Sequence, residues 1–122
     1  MLGNLFATSK DVLSNNKEEI FCNFQKNNKP SGLDFIRKST TPMFFDVVKP
    51  MVLESNETDN ITVKKIASCI LDSYSEDIGS DKIATVRYDA VVSRDNVDEE
   101  ISELWHFVYN GWNWKLAGIQ QP

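Results

Sequence analysis

One histidine, two cysteines and five glycines in 122 residues leave little material for several common chemistries. A zinc site needs clustered Cys and His ligands at short spacing, and Cys22 and Cys69 stand far apart with no such neighbours. The two thiols permit one disulfide; on a helix and a strand respectively, they read first as small buried side chains. No glycine-rich loop follows a strand to cradle a phosphate, and no Ser or Cys has the flanking base that a nucleophile requires. The residues imply no metal and no cofactor.

Basic charge is also scarce. Thirteen Lys and Arg stand against eighteen Asp and Glu, a net charge of −5. Nucleic-acid binding without base readout depends on clustered cations that displace counterions, so nucleic acid is excluded as a partner. No apolar run approaches the ~18 residues of a membrane span, and the start carries no basic n-region of a signal peptide. The expectation is a soluble chain without signal peptide or transmembrane segment. Apolar residues make up 41% and charged residues 25%, which separates the chain from disordered sequences and leaves enough apolar surface for one core.

The richest segment is the last twenty residues, with all three tryptophans and the only histidine. Asn110-Gly111 is a strong hairpin signal, because both residues tolerate positive φ. A two-residue loop pairs Tyr109 with Trp112, Phe107 with Trp114 and Trp105 with Leu116; a four-residue loop, Asn110 to Asn113, moves the register by two. Strand alternation then places Trp105, Phe107, Tyr109, Trp112, Trp114 and Leu116 on one face, and Leu104, His106, Val108, Lys115, Ala117 and Ile119 on the other. Such a stripe is first of all packing, so Tyr88, Trp105, Phe107 and Trp114 are candidates for either the core or the wall of a pocket.

Ahead of the strands the pattern is helical. Leu2, Leu5, Phe6, Val12, Leu13, Ile20, Phe21 and Phe24 recur at helical steps, with Asn15-Asn16 as a break between an arm over residues 1–14 and a helix over about 17–28. Leu33–Lys38 reads as a short helix, and Thr40 or Thr41 caps the next with Pro42 at its first position. Pro50 implies a kink, and that helix ends near Glu54. Val63–Tyr74 and Ile83–Val92 then read as strands joined through residues 76–82, with Arg94–Glu99 as the next connection. Helices followed by an antiparallel meander make an α+β domain.

Trp105-His106-Phe107-Val108, followed by Gly111-Trp112-Asn113-Trp114-Lys115-Leu116-Ala117-Gly118-Ile119-Gln120-Gln121, resembles the closing signature of bacterial Tim-forty-four-like domains, relatives of the C-terminal domain of the mitochondrial inner-membrane import anchor. Leu33-Asp34-Phe35-Ile36-Arg37-Lys38-Ser39-Thr40-Thr41-Pro42-Met43-Phe44-Phe45 resembles the same family's helix, Thr-Pro step and second helix. The likeness runs from about Phe21 to Gln121. It implies the cone-shaped roll of the nuclear transport factor two-like, cystatin-like superfamily: N-terminal helices packed on a curved four-stranded antiparallel sheet, residues 15–122 forming a single domain behind the arm.

The resemblance also implies a setting. It describes a non-catalytic interaction domain, peripheral or anchored at the inner membrane, that meets a membrane protein or lipid surface during protein translocation or membrane-protein assembly. The residues themselves offer Leu2, Leu5, Phe6, Val12 and Leu13 as an association surface, which could pack on its own domain, form a homodimer or touch a membrane. The other reading is a small-molecule-binding or enzymatic cone of isomerase or dehydratase type. Its candidates are His106, Asp89, Tyr88, Arg87 and Glu103, but alternation splits Asp89 from Tyr88 and His106 from Glu103. No catalytic residue is assigned.

Overall fold

A computed structural model of the chain describes residues 7–76 and 81–122. The first helix among the described residues, α1 (Ser9–Lys26), begins at a reciprocal cap: the Asp11 N–H donates to Thr8 Oγ1 at 3.1 Å and the Thr8 N–H to Asp11 Oδ2 at 3.2 Å. It runs through Asn15-Asn16 without a break. Each Asn costs well under about 1 kcal/mol as a helical residue. The Asn16 amide bonds the Val12 carbonyl at 2.7 Å, while Leu13 before the pair and Phe21 after it are both fully buried. The expected border between arm and domain therefore falls inside one helix. Leu13, offered as part of an association surface, packs on its own domain as a core residue; Val12 beside it is 48% exposed. Leu2, Leu5 and Phe6 lie outside the described residues.

A 3-10 turn (Pro30–Gly32), α2 (Leu33–Ser39) and α3 (Pro42–Glu54) follow, close to expectation. Gly32 sits where a Cβ would come within 2.0 Å of the Asn27 carbonyl oxygen, so the tight return from α1 requires glycine. Thr41 caps α3, its hydroxyl accepting from the Phe44 N–H at 3.3 Å, with Pro42 at the first position. Pro50 does not end α3. Pro50 and Asp46, whose carbonyl loses its helical partner, are both exposed, and solvent satisfies the freed acceptor.

Strands β1 (Ile61–Ser75), β2 (Lys82–Arg94), β3 (Val97–Tyr109) and β4 (Trp114–Gln120) form one antiparallel sheet in sequential order, with the three helices on one face. This is an α+β domain of helices on a four-stranded antiparallel sheet. β1 carries one extra residue relative to β2 at Lys64, at Ala67 and at Asp72. Because of these bulges Val63, Ile66, Cys69, Leu71 and Tyr74, irregularly spaced in sequence, each stand opposite an inward β2 residue: Val92, Ala90, Tyr88, Val86 and Ala84.

The acidic stretch expected as a loop after Arg94 is mostly strand. Only Asp95 (φ 50°) and Asn96 (φ 66°) turn, as a two-residue hairpin of the primed kind, and Asp98, Glu99 and Glu100 continue in β3. The β3–β4 connection is the four-residue alternative, with Tyr109 opposite Trp114 and Phe107 opposite Leu116. Asn110 Oδ1 accepts from the backbone N–H groups of Trp112 and Asn113, and Gly111 takes φ 90°. Trp112 consequently leaves the inner face and is 82% exposed. A bulge at Ala117 also reverses the alternation of β4, so Ile119 pairs with Trp105 and packs on the core rather than on the outer face.

The core centres on Trp105, fully buried, with the rings of Phe21, Tyr88 and Phe24 at 5.2, 5.0 and 5.2 Å from its own. Phe21 stacks on Tyr88 at 4.7 Å, and the Tyr88 hydroxyl donates to the Lys17 carbonyl of α1 at 2.7 Å. No helix among the described residues is long and apolar enough to cross a membrane.

Two substitutions test this account. Trp105→Ala should cost about 3–5 kcal/mol in urea denaturation. Gly32→Ala should cost about 1–3 kcal/mol, since backbone rather than a movable side chain opposes the added methyl.

Candidate binding groove

The helices do not fill the concave side of the sheet. A groove of ≈ 280 Å³ opens between α1, α2 and the β3–β4 hairpin. One wall is a helical stripe of α1, Val12, Asn16, Ile20 and Asn23, and the other is Phe35, Lys38 and Ser39 of α2. Trp105 and Phe107 of β3, with Trp114 and Leu116 of β4, supply the floor. The hairpin is held in place from both sides: Trp114 Nε1 donates to the Ser9 carbonyl at 2.7 Å, and the Thr41 N–H donates to the Leu116 carbonyl at 2.9 Å.

A second hollow, also ≈ 280 Å³, lies beyond Trp105 toward α3, and Phe24 and Trp105 line both. Their edge-to-face contact, rings 5.2 Å apart and inclined by 75°, separates the two spaces. The hollow near α3 is the more polar, with Arg94, Glu99 and Glu103 on its wall. Arg94 is already engaged there by Asp59 at 2.8 Å and the Asn28 carbonyl at 3.0 Å. Glu103 accepts from Trp105 Nε1 at 3.0 Å.

Of the four aromatic candidates, Trp105, Phe107 and Trp114 meet in the groove. Tyr88 does not. It lies beneath α1 in the core, where burial pushes its hydroxyl far above the ordinary tyrosine value. Val12 reaches the rim of the groove. Ile20 was expected on the apolar stripe of α1 and Lys115 on the outer face of the sheet, from which it reaches the rim of the groove; Phe35 and Lys38 of α2 went unread as groove residues because they belong to a separate element.

Of the residues considered for acid–base work, only Arg87 and Asp89 bond each other among the described residues. The two interior hollows contain one of them, Glu103. His106 alternates onto the outer face of the sheet, its Nδ1 2.8 Å from Thr85 Oγ1 and its Nε2 2.8 Å from Gln120 Oε1. Arg87 and Asp89 share that face in a closed set, with Arg87 Nε donating to Asp89 Oδ2 at 3.1 Å and Ser102 Oγ to Asp89 Oδ1 at 2.7 Å. The Ser102 hydroxyl and then Arg87 hold the Asp89 carboxyl below the usual range. Cys22 and Cys69 are free and half-buried, and burial raises both thiols, Cys69 to about 11, so neither has the activated thiolate of a nucleophile. Among the described residues no group of His, Cys, Asp and Glu is arranged to hold a metal ion.

Asp89 makes a pH-dependent contribution with a definite sign. A carboxyl whose folded value is lowered adds stability above its unfolded value of about 4. That contribution is lost as pH falls through the folded value. The drop in urea midpoint between neutral and acid solution should therefore be smaller in Asp89→Asn than in the parent chain.

No protein-family model, no curated protein and no solved structure matches this chain.

Proposed function

We propose that this chain is a non-catalytic interaction domain that works at the inner-membrane surface, in protein translocation or membrane-protein assembly, and that the groove between α1, α2 and the β3–β4 hairpin is its working site. The groove carries this reading: an open, largely apolar trough in which, among the described residues, no pair of ionisable groups is placed for proton transfer. The setting at a membrane comes from the resemblance of the Trp105–Val108, Gly111–Gln121 and Leu33–Phe45 segments to Tim-forty-four-like domains.

The surface around the groove supports it. Val12 and Phe35 are partly exposed on its walls, and Trp112 stands at the tip of the adjoining hairpin. Tryptophan is suited to such a place, with an apolar ring and a polar N–H that fit the boundary between water and lipid. On α3, Met43, Val47 and Met51 add an exposed stripe at four-residue spacing.

Co-sedimentation with phosphatidylcholine vesicles containing phosphatidylglycerol tests the proposal. The chain should be recovered with the vesicles, and the Trp112→Ala, Phe35→Ala double variant should lower the bound fraction at least about fivefold through lost apolar contact. Deleting residues 1–6 measures the share of Leu2, Leu5 and Phe6. No recovery at any phosphatidylglycerol content would overturn the proposal.

A further inference from the structure

Helix α3 carries more apolar surface than its own domain covers. Val48 and Val52 are buried in the core, yet Met43, Val47, Pro50, Met51 and Leu53 all stand exposed, the four larger side chains between 48% and 84%. Only three of the helix's thirteen residues are charged, Asp46, Lys49 and Glu54. Single exposed apolar residues are ordinary, but several together on one short helix form a contiguous patch of the kind that marks an association surface. No α3 residue lines the groove, so this face is a separate one.

The charges on α3 indicate what covers it. Among the described residues none of the three forms an ion pair, although Asp46 and Lys49 stand three apart on one helix, within reach of each other. At about 100° per residue both lie on the same flank of the apolar face, with Asp46 the nearer to its centre. A helix laid antiparallel on this face answers that flank only if it carries an acid and a base in the same order and spacing, and α3 itself is such a helix. A two-fold axis turns each flank onto itself. Setting Val47 level with Val48 of a second copy then brings Asp46 level with Lys49 twice and Met43 beside Met51. The same register carries Glu54 to the start of the other α3 at Thr41-Pro42, where the helix dipole favours a carboxylate. An acidic lipid surface fits this face less well, because it meets two carboxylates and one ammonium.

We infer that α3 is the contact through which two copies of this chain associate, packed antiparallel about a two-fold axis beside Val47. A helix of this length spans about 20 Å, which gives less surface than the roughly 800 Å² per partner of a standard stable interface. The dimer is therefore weak, with a dissociation constant on the order of 0.1 mM. It takes no residue from the groove and stands independently of the groove's role.

Sedimentation equilibrium of the full chain from about 10 μM to about 1 mM measures the association. The mean mass should rise from that of one chain toward that of two and no further. Val47→Asp should weaken association at least about tenfold by placing two carboxylates in the apolar centre, while its urea midpoint stays close to the parent's because Val47 is exposed. Asp46→Lys and Lys49→Asp should each weaken it about threefold, and the two combined should restore it, since the exchanged charges meet again across the contact. A monomer at every concentration, an association that Val47→Asp leaves unchanged, growth beyond two copies, or a charge exchange that fails to restore pairing would each overturn the inference. A monomer whose recovery with phosphatidylglycerol vesicles is lost on Val47→Asp would overturn it too and assign the face to lipid.

Discussion

The seat of α1 on the sheet centres on the stack of Phe21 on Tyr88 beside Trp105, fastened by the Tyr88 hydroxyl to the Lys17 carbonyl. A buried hydroxyl without a partner costs a few kcal/mol, so Tyr88 tolerates only helix positions that bring a carbonyl over it. The three rings give that requirement a floor, since each removes on the order of 150–250 Å² from water. With α1 placed, Phe24 falls edge-on against Trp105 and Ile20 and Val12 fall on the wall of the groove. Both hollows and the partition between them follow from where this helix sits.

The sheet must curve to leave space under the helices, and β1 provides the means. Its three extra residues lengthen one edge of the sheet relative to β2 while keeping each inward side chain opposite another inward side chain. A bulge that increases local twist without breaking the apolar pairing bends the sheet at little cost to the core. The far edge is closed differently. There the Thr40–Thr41 step pairs with Leu116, so the open side of β4 is covered by the junction of α2 and α3.

Much of this architecture was legible because it is local. Thr41-Pro42 announces the start of α3, Asn110-Gly111 the last turn, and Ala84 to Val92 a half-buried strand, each by chemistry confined to a few neighbours. The misreadings arose where a tertiary partner decided. Asn15-Asn16 looks like a break, but Leu13 and Phe21 are both anchored in the core and carry the helix across it. Asp98 to Glu100 look like a loop because they are acidic, yet they lie on a strand end where the charge remains in solvent. Ile119 changes face through a bulge at Ala117 that alternation does not foresee. The groove was half legible: its aromatic floor is one strand face and a hairpin, whereas its basic end joins Lys38 and Lys115, 77 residues apart.

The two faces of the sheet treat their polar groups in opposite ways, and this contrast places the working side. On the outer face the charged and polar side chains satisfy one another, Arg87 with Asp89 and Ser102, and His106 with Thr85 and Gln120. Such closed sets hold strand positions and leave few donors for a ligand. On the helix side, every buried side-chain polar atom among the described residues also has a partner, so the interior itself carries no unmet demand. What remains are groups that are neither buried nor fully used: the ammonium ends of Lys38 and Lys115 at the rim of the groove and the half-buried ring of Trp114 beside them, Trp105 and Phe107 beneath being buried. Water solvates the first well and the second poorly, and a ligand gains most from a site where both meet. A strand face cannot create that boundary alone, because it needs α2 to bring Lys38 alongside Lys115. The Thr40–Leu116 bridge that closes the sheet edge also joins the strand that carries Lys115 to the end of the helix that carries Lys38, so one contact both protects the edge from pairing and seats α2 beside the groove.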